Sequence, residues 1–138
     1  MAAAIGGLGG VYLLTPASKK RAGGWFEAAD ASKLKVGEAE EVVFERTRVD
    51  GWRVSKEKSS AWIVKKSDQE VIAYSPSCTH LGCAYRYDAV QKNFICPCHI
   101  SAFSLDGNVL SGPAPRPLDR YEAKIANGRV LLGEIKKA

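Results

Sequence analysis

Cys78 to Ser101 begins C-T-H-L-G-C, continues through the run from Ala84 to Ile95, and ends C-P-C-H-I-S. This one stretch holds all 4 cysteines and both histidines of the 138-residue chain. Soft and borderline metal ligands gathered in this way mark a site and not a scatter of core residues. Thiolates and imidazoles together suit zinc or an iron-sulfur centre, whereas calcium or magnesium would require carboxylate oxygens. Cys78-x-His80 and Cys96-x-x-His99 each offer one thiolate and one imidazole, so two short loops can supply a complete ligand set. Cys83 and Cys98 then remain, one in each loop. A zinc module could draw on the same side chains, and a thiol redox motif could use Cys96-Pro97-Cys98.

The rest of the chain bounds what such a site can belong to. With 138 residues, 46% hydrophobic and 25% charged, the sequence suits one globular core with a short extra segment and is not disordered. A net charge of +5 favours an anionic surface or an acidic partner. Nucleic acid is excluded as a partner: apart from Lys19, Lys20 and Arg21 the basic residues are dispersed, and the aromatics form no base-stacking pattern.

From residue 40 onward the texture is all-β. Val42 to Phe44, Trp52 to Val54, Trp62 to Val64 and Val71 to Tyr74 are short β-branched or aromatic runs, divided by Asp50-Gly51, Lys56 to Ser60 and Ser67 to Glu70. Trp25, Trp52 and Trp62 read as core or interface packing. One helical turn is expected near Asp30 to Leu34. Strands are expected at Ala84 to Tyr87 and at Phe94 and Ile95, with a turn at Asp106-Gly107. Gly112 to Pro117, G-P-A-P-R-P, must be extended and stiff. Tyr121 to Ile125 and Arg129 to Leu132 form a closing hairpin through Asn127-Gly128, a type I′ turn signal. At the other end, residues 2 to 14 are uncharged and mostly apolar. As a helix they would cover roughly 20 Å, short of a membrane's hydrocarbon core.

The cysteine-histidine pattern, with Leu81, Gly82, Pro97 and Ser101 around it and the G-P-A-P-R-P segment after it, resembles the Rieske iron-sulfur proteins of cytochrome bc-type quinol oxidases. The resemblance is strong over residues 60 to 133. It implies an antiparallel β-sandwich over residues 25–138 with a small cluster-binding subdomain at about 76–118. Residues 1–24 would be the end of an N-terminal membrane anchor and a hinge at Ala22 to Gly24. It implies a 2Fe-2S cluster with Cys78 and Cys96 on one iron and His80 and His99 on the other, where neutral imidazoles raise the potential. Cys83 and Cys98 would form the disulfide that locks the two loops, which suits an oxidising compartment. Leu81 would be an apolar cover, and Pro113 would belong to a proline loop over the cluster.

By the same resemblance, the protein is the electron-transfer subunit of a membrane quinol:cytochrome c oxidoreductase. His99 would accept a proton from quinol, with His80 beside it at the exposed tip. The partners would be a cytochrome b subunit, a c-type cytochrome and the quinol, either menaquinol or ubiquinol. The head would stand on the periplasmic or extracellular side of the cell membrane. Ser101 occupies the position whose hydroxyl contacts a bridging sulfide. Phe103 stands where high-potential members carry a tyrosine, so one hydrogen bond to a ligand thiolate is missing and menaquinol is favoured. Ile100 replaces a common glycine. Two other settings share parts of the pattern: the small subunit of a molybdenum oxidase such as arsenite oxidase, and a soluble Rieske ferredoxin of an oxygenase, which typically lacks the two extra cysteines.

Overall fold

A computed structural model describes residues 24–138. The anchor expected at residues 2 to 14, the basic run Lys19 to Arg21, and all of the expected hinge except Gly24 lie outside the described residues. The fold is antiparallel β, in two sheets. Strands β1 (Phe26–Asp30), β2 (Ala39–Asp50), β3 (Arg53–Lys65) and β4 (Val71–Tyr74) lead into the inserted β5 (Arg86–Asp88), β6 (Asn93–Cys96), β7 (Ser101–Ser104) and β8 (Val109–Ser111). The chain then returns through β9 (Arg120–Ala126) and β10 (Arg129–Lys136). The larger sheet has the order β1-β10-β9-β4-β3-β2 and the smaller one β5-β6-β7-β8. Phe26 of β1 stacks on Phe44 of β2 with centroids 4.7 Å apart. These strands are the two edges of the larger sheet, so the sheet curls around its own core.

Alternation along the central strands gives this sheet two apolar faces. Ala61, Ile63 and Ala73 join Leu34, Phe44, Val130 and Leu132 in the first core. Their neighbours Trp62, Val64 and Tyr74 point the other way and meet Tyr85, Phe94, Phe103 and Leu118 of the inserted segment in a second core. Aromatic rings build that junction. Phe94 lies 5.6 Å from Tyr74, 5.7 Å from Trp62 and 5.4 Å from Tyr85 by ring centroids. Each contact is edge-to-face, the geometry that aromatic quadrupoles prefer. The segment that carries the cysteines is therefore seated on a rigid aromatic floor.

The expected turn near Asp30 is a 3-10 turn over Ala31–Lys33, and Asp30 caps it by accepting a hydrogen bond from the Ser32 N–H at 3.0 Å. Asn127 and Gly128 have φ of 51° and 72°, as a type I′ turn demands. Two expectations fail in one place. Lys56 to Ser60 is not a break but the middle of β3, and Trp52 is in the turn before that strand and not in the strand itself. Register pairing with β2 runs without interruption from Ala39↔Val64 to Asp50↔Arg53. The ladder satisfies the backbone there whatever the side chains are, so a polar run can still be strand. Trp52 is consequently 91% exposed at the hairpin apex and no part of a core. Of the other two tryptophans, Trp62 packs in the second core, while Trp25 is partly exposed with the Lys124 ammonium 4.1 Å from its ring centroid. The strand expected at Ala84 to Tyr87 begins later, at Arg86, and Ala84 forms only an isolated bridge with Ser77. Strands β1, β7 and β8 carry too little alternating apolar signal to be read from sequence.

Candidate metal centre

Two loops form the site, and backbone bonds shape each one. In the first, the Cys78 N–H donates to the Cys83 carbonyl at 2.8 Å and the Gly82 N–H to the Cys78 carbonyl at 2.9 Å, folding residues 78 to 83 back on themselves. The second is the tight connection between β6 and β7, closed by the Cys96↔Ser101 pair. Cys83 and Cys98 are joined by a disulfide across the loops. Cys78 and Cys96 are both free thiols and both buried. Three sulfurs, those of Cys83, Cys96 and Cys98, lie within 4.8 Å of one another. Since two of them are already bonded, that trio is the disulfide resting on the Cys96 thiol and is not a ligand set.

The expected ligands come together as two like pairs. The thiols of Cys78 and Cys96 are neighbours; burial pushes the Cys78 pKa up, and Cys96 beside it adds to the rise. Backbone N–H groups of His80 and Leu81 oppose the rise by donating to the sulfur. The rings of His80 and His99 stand 4.7 Å apart, nearly perpendicular at 84°. Nδ1 of His80 is buried with no hydrogen-bond partner. A buried polar atom left in that state costs free energy unless something binds it. Two buried thiols, N–H donors aimed at sulfur, and an inward orphan imidazole nitrogen are what a positively charged metal centre with thiolate and imidazole ligands would complete. The donor set thus fits such a centre.

The proline segment closes the site from a third side. The Ala114 N–H donates to Ser101 Oγ at 3.2 Å, and Thr79 Oγ1 donates to the Arg116 carbonyl at 2.7 Å, so each ligand loop is tied to it once. Gly112 has φ +89°, and a Cβ there would sit 2.5 Å from the Ser101 Cα. Only glycine permits that approach. Pro113 itself is exposed, while Ala114 and Leu118 beside it are buried. Thr79 and Gly112 were not among the expected site residues; a hydroxyl between two expected ligands and a glycine before a proline were the only signals. Ser101 and Phe103 are fully buried, and Phe103 lies 6.3 Å from Tyr85 by ring centroids. Leu81 and Ile100 are 68% and 77% exposed and flank the histidines in sequence. They make an apolar rim beside the histidines.

The sequence profile of the Rieske [2Fe-2S] domain matches residues 24–122 of this chain. The chain belongs to the Rieske family. It therefore carries a Rieske-type 2Fe-2S cluster. Among curated Rieske relatives, it is 36% identical over 121 residues to the menaquinol:cytochrome c reductase iron-sulfur subunit of Geobacillus thermodenitrificans, spanning 80% of this chain and 72% of that protein. It is 41% identical over 97 residues to the subunit of the same name from Bacillus subtilis, spanning 67% of this chain and 58% of that one. Among solved structures, a chain of a hyperthermophilic respiratory complex III superposes with a TM-score of 0.52 at 25% identity, covering 86% of this chain and 82% of that chain.

Proposed function

We propose that this Rieske protein is the electron-transfer subunit of a membrane quinol:cytochrome c oxidoreductase that oxidises menaquinol beside a cytochrome b and delivers the electron to a c-type cytochrome. The observation that carries the reading is the perpendicular imidazole pair, with His99 exposed and His80 half-buried, in the same two loops as two buried thiols. The names of the Geobacillus and Bacillus relatives support the quinol class. In this reading Cys78, Cys96, His80 and His99 hold the cluster, residues 25–138 form the head, and residues 1–24 end the anchor and form the hinge, with the head on the periplasmic or extracellular side of the cell membrane.

When bound, a 2Fe-2S cluster supplies a one-electron couple whose potential depends on its ligands. The protein's own groups do the rest. His80 turns Nδ1 inward, leaving Nε2 as its outward nitrogen. His99, at the surface, accepts the hydrogen bond of a quinol hydroxyl at its outward nitrogen and takes the proton there. Leu81 and Ile100 exclude water around that contact and give it an apolar edge. Ser101, held by the Ala114 N–H, has its hydroxyl proton to donate to a sulfur. Phe103 has none, which lowers the potential relative to a tyrosine and suits a low-potential quinol.

Redox titration with electron paramagnetic resonance at several pH values tests this. The expected result is a Rieske signal whose midpoint falls as pH rises. A midpoint independent of pH would remove the proton step at His99, and absence of the signal from iron-replete protein would remove the electron-transfer role.

A further inference from the structure

The β2–β3 hairpin is longer than the sheet needs. Strand β4 pairs with β3 only from Trp62↔Tyr74 to Lys65↔Val71, yet β3 begins at Arg53. At 3.3 Å per residue, the stretch before Trp62 extends about 30 Å beyond that pairing. Ala61 and Phe44 still pack in the first core, and roughly the outer 20 Å, Arg53 to Lys58 against Glu45 to Asp50, is a two-stranded ribbon free of it. From Glu45 to Lys58 every residue except Ser55 is exposed. A free two-stranded ribbon is marginal in water, and this one keeps its most apolar residues where packing is least. Trp52 occupies the apex at 91% exposure, and directly behind it Val49 and Val54 face each other across the ladder, both largely exposed.

Around that apex the charge is positive. Arg46, Arg48, Arg53, Lys56 and Lys58 outnumber Glu45, Asp50 and Glu57. Arg48 contacts both Asp50 and Glu57, so its single charge offsets one of these two carboxylates, and the five cations still exceed the three carboxylates by two. Among the described residues, Arg53, Lys56 and Lys58 have no carboxylate partner. The direction of the hairpin is also informative. At the Trp62↔Tyr74 pair β4 ends and the chain departs into the cluster-binding segment, so hairpin and segment leave the larger sheet from the same end.

From this we infer that the β2–β3 hairpin is a lipid contact: its apex seats Trp52, Val49 and Val54 at the headgroup level of an anionic membrane while Arg53 and Lys56 reach the phosphates and Lys58, farther along the ribbon, adds to the positive field. An amphipathic indole on a convex tip, with a long cationic side chain at the first rung behind it (Arg53) and another at the fourth (Lys56), matches the interfacial layer of a bilayer. The contact would fix how far the cluster-binding end stands from the membrane. It does not depend on the quinol reading and is testable without the cluster.

The test uses the full chain with vesicles of phosphatidylcholine and phosphatidylglycerol, with or without brominated acyl chains, comparing the native protein with Trp52→Phe and Lys56→Gln. Brominated lipid should quench tryptophan emission of the native protein and do so much less in Trp52→Phe, whatever the residues before Gly24 contribute to binding. Lys56→Gln should weaken partition into anionic vesicles about fivefold, and salt should weaken the native protein's partition. Backbone amide exchange across residues 46 to 58 should slow when vesicles are added. Equal quenching in native protein and Trp52→Phe, together with unchanged amide exchange, would overturn the inference. So would hairpin variants that alter only self-association or only electron delivery to a cytochrome, since the occupant would then be a protein.

Discussion

Replacing Cys83 and Cys98 together by alanine tests what holds the two ligand loops in register. The bridge joins residues 15 apart in sequence. Closing a loop of that size removes unfolded-state entropy worth about 3 kcal/mol at room temperature. Each loop has its own internal bonds: the Cys78 N–H to the Cys83 carbonyl in the first, and the Cys96↔Ser101 rung in the second. The alanine pair should therefore leave each loop's local shape intact and release their mutual position, with the Ser101 and Thr79 bonds to the proline segment as the remaining ties. Urea unfolding of the metal-free protein should show stability lowered by about 3 kcal/mol, with an unfolding slope close to that of the oxidised parent. Thermal unfolding should move down by roughly 10 °C. In the iron-loaded protein, the Rieske signal should be lost faster under chelator. A stability loss below about 1 kcal/mol, well under the loop-closure value, with an equally durable signal would refute the reasoning. The proline segment and backbone bonds alone would then position the loops.

Three further outcomes follow from single side chains. Phe103→Tyr introduces a hydroxyl in a fully buried position; a hydrogen bond favouring the reduced centre by about 1 kcal/mol should raise the midpoint by roughly 40 mV, and an unchanged midpoint would show that the hydroxyl finds no sulfur. Ile100 has φ +56°, a left-handed conformation that a β-branched residue adopts only with strain. Ile100→Gly should raise thermal stability by about 0.5–1 kcal/mol after glycine's own entropy is counted, while making the cluster more accessible to small oxidants; unaltered or lower stability in calorimetry would contradict the strain. Asp119 has its pKa lowered, first by hydrogen bonding to Arg116, whose Nη2 donates to Oδ2 at 3.1 Å. Its stabilising effect is therefore present above the unfolded carboxyl value near 4 and lost as pH falls through the lower folded value. Asp119→Asn should flatten the acid limb of a stability-versus-pH curve below about pH 4, and an unaltered limb would assign the acid sensitivity to other carboxylates.

Much of the site was legible because its chemistry is local. Cys78-x-His80 and Cys96-x-x-His99 carry the spacing of the proposed ligands within a few residues, and no packing is needed to see it. Val71 to Tyr74 and the Asn127-Gly128 hairpin were equally plain, since alternation and turn geometry are written in adjacent side chains. The distal hairpin was not. Lys56 to Ser60 has the composition of a loop, and only the long-range pairing with Thr47 to Val43 makes it strand. Trp52 followed the same way, because a tryptophan's hydrophobicity says nothing of whether a ladder carries it past the edge of the core. Thr79 and Gly112 entered the site through contacts with residues more than ten positions away.

Residue identity by itself determined the ligand chemistry of this Rieske protein, the β class and the stiff proline segment, because valence, side-chain period and a locked φ are properties of short stretches. Tertiary structure decided which sulfurs are bonded and which free, that the imidazoles meet edge to face, and that an apolar hairpin apex stands in solvent. Those depend on how segments distant in the chain share space, and that is set by packing on the Phe94 floor and by strand register.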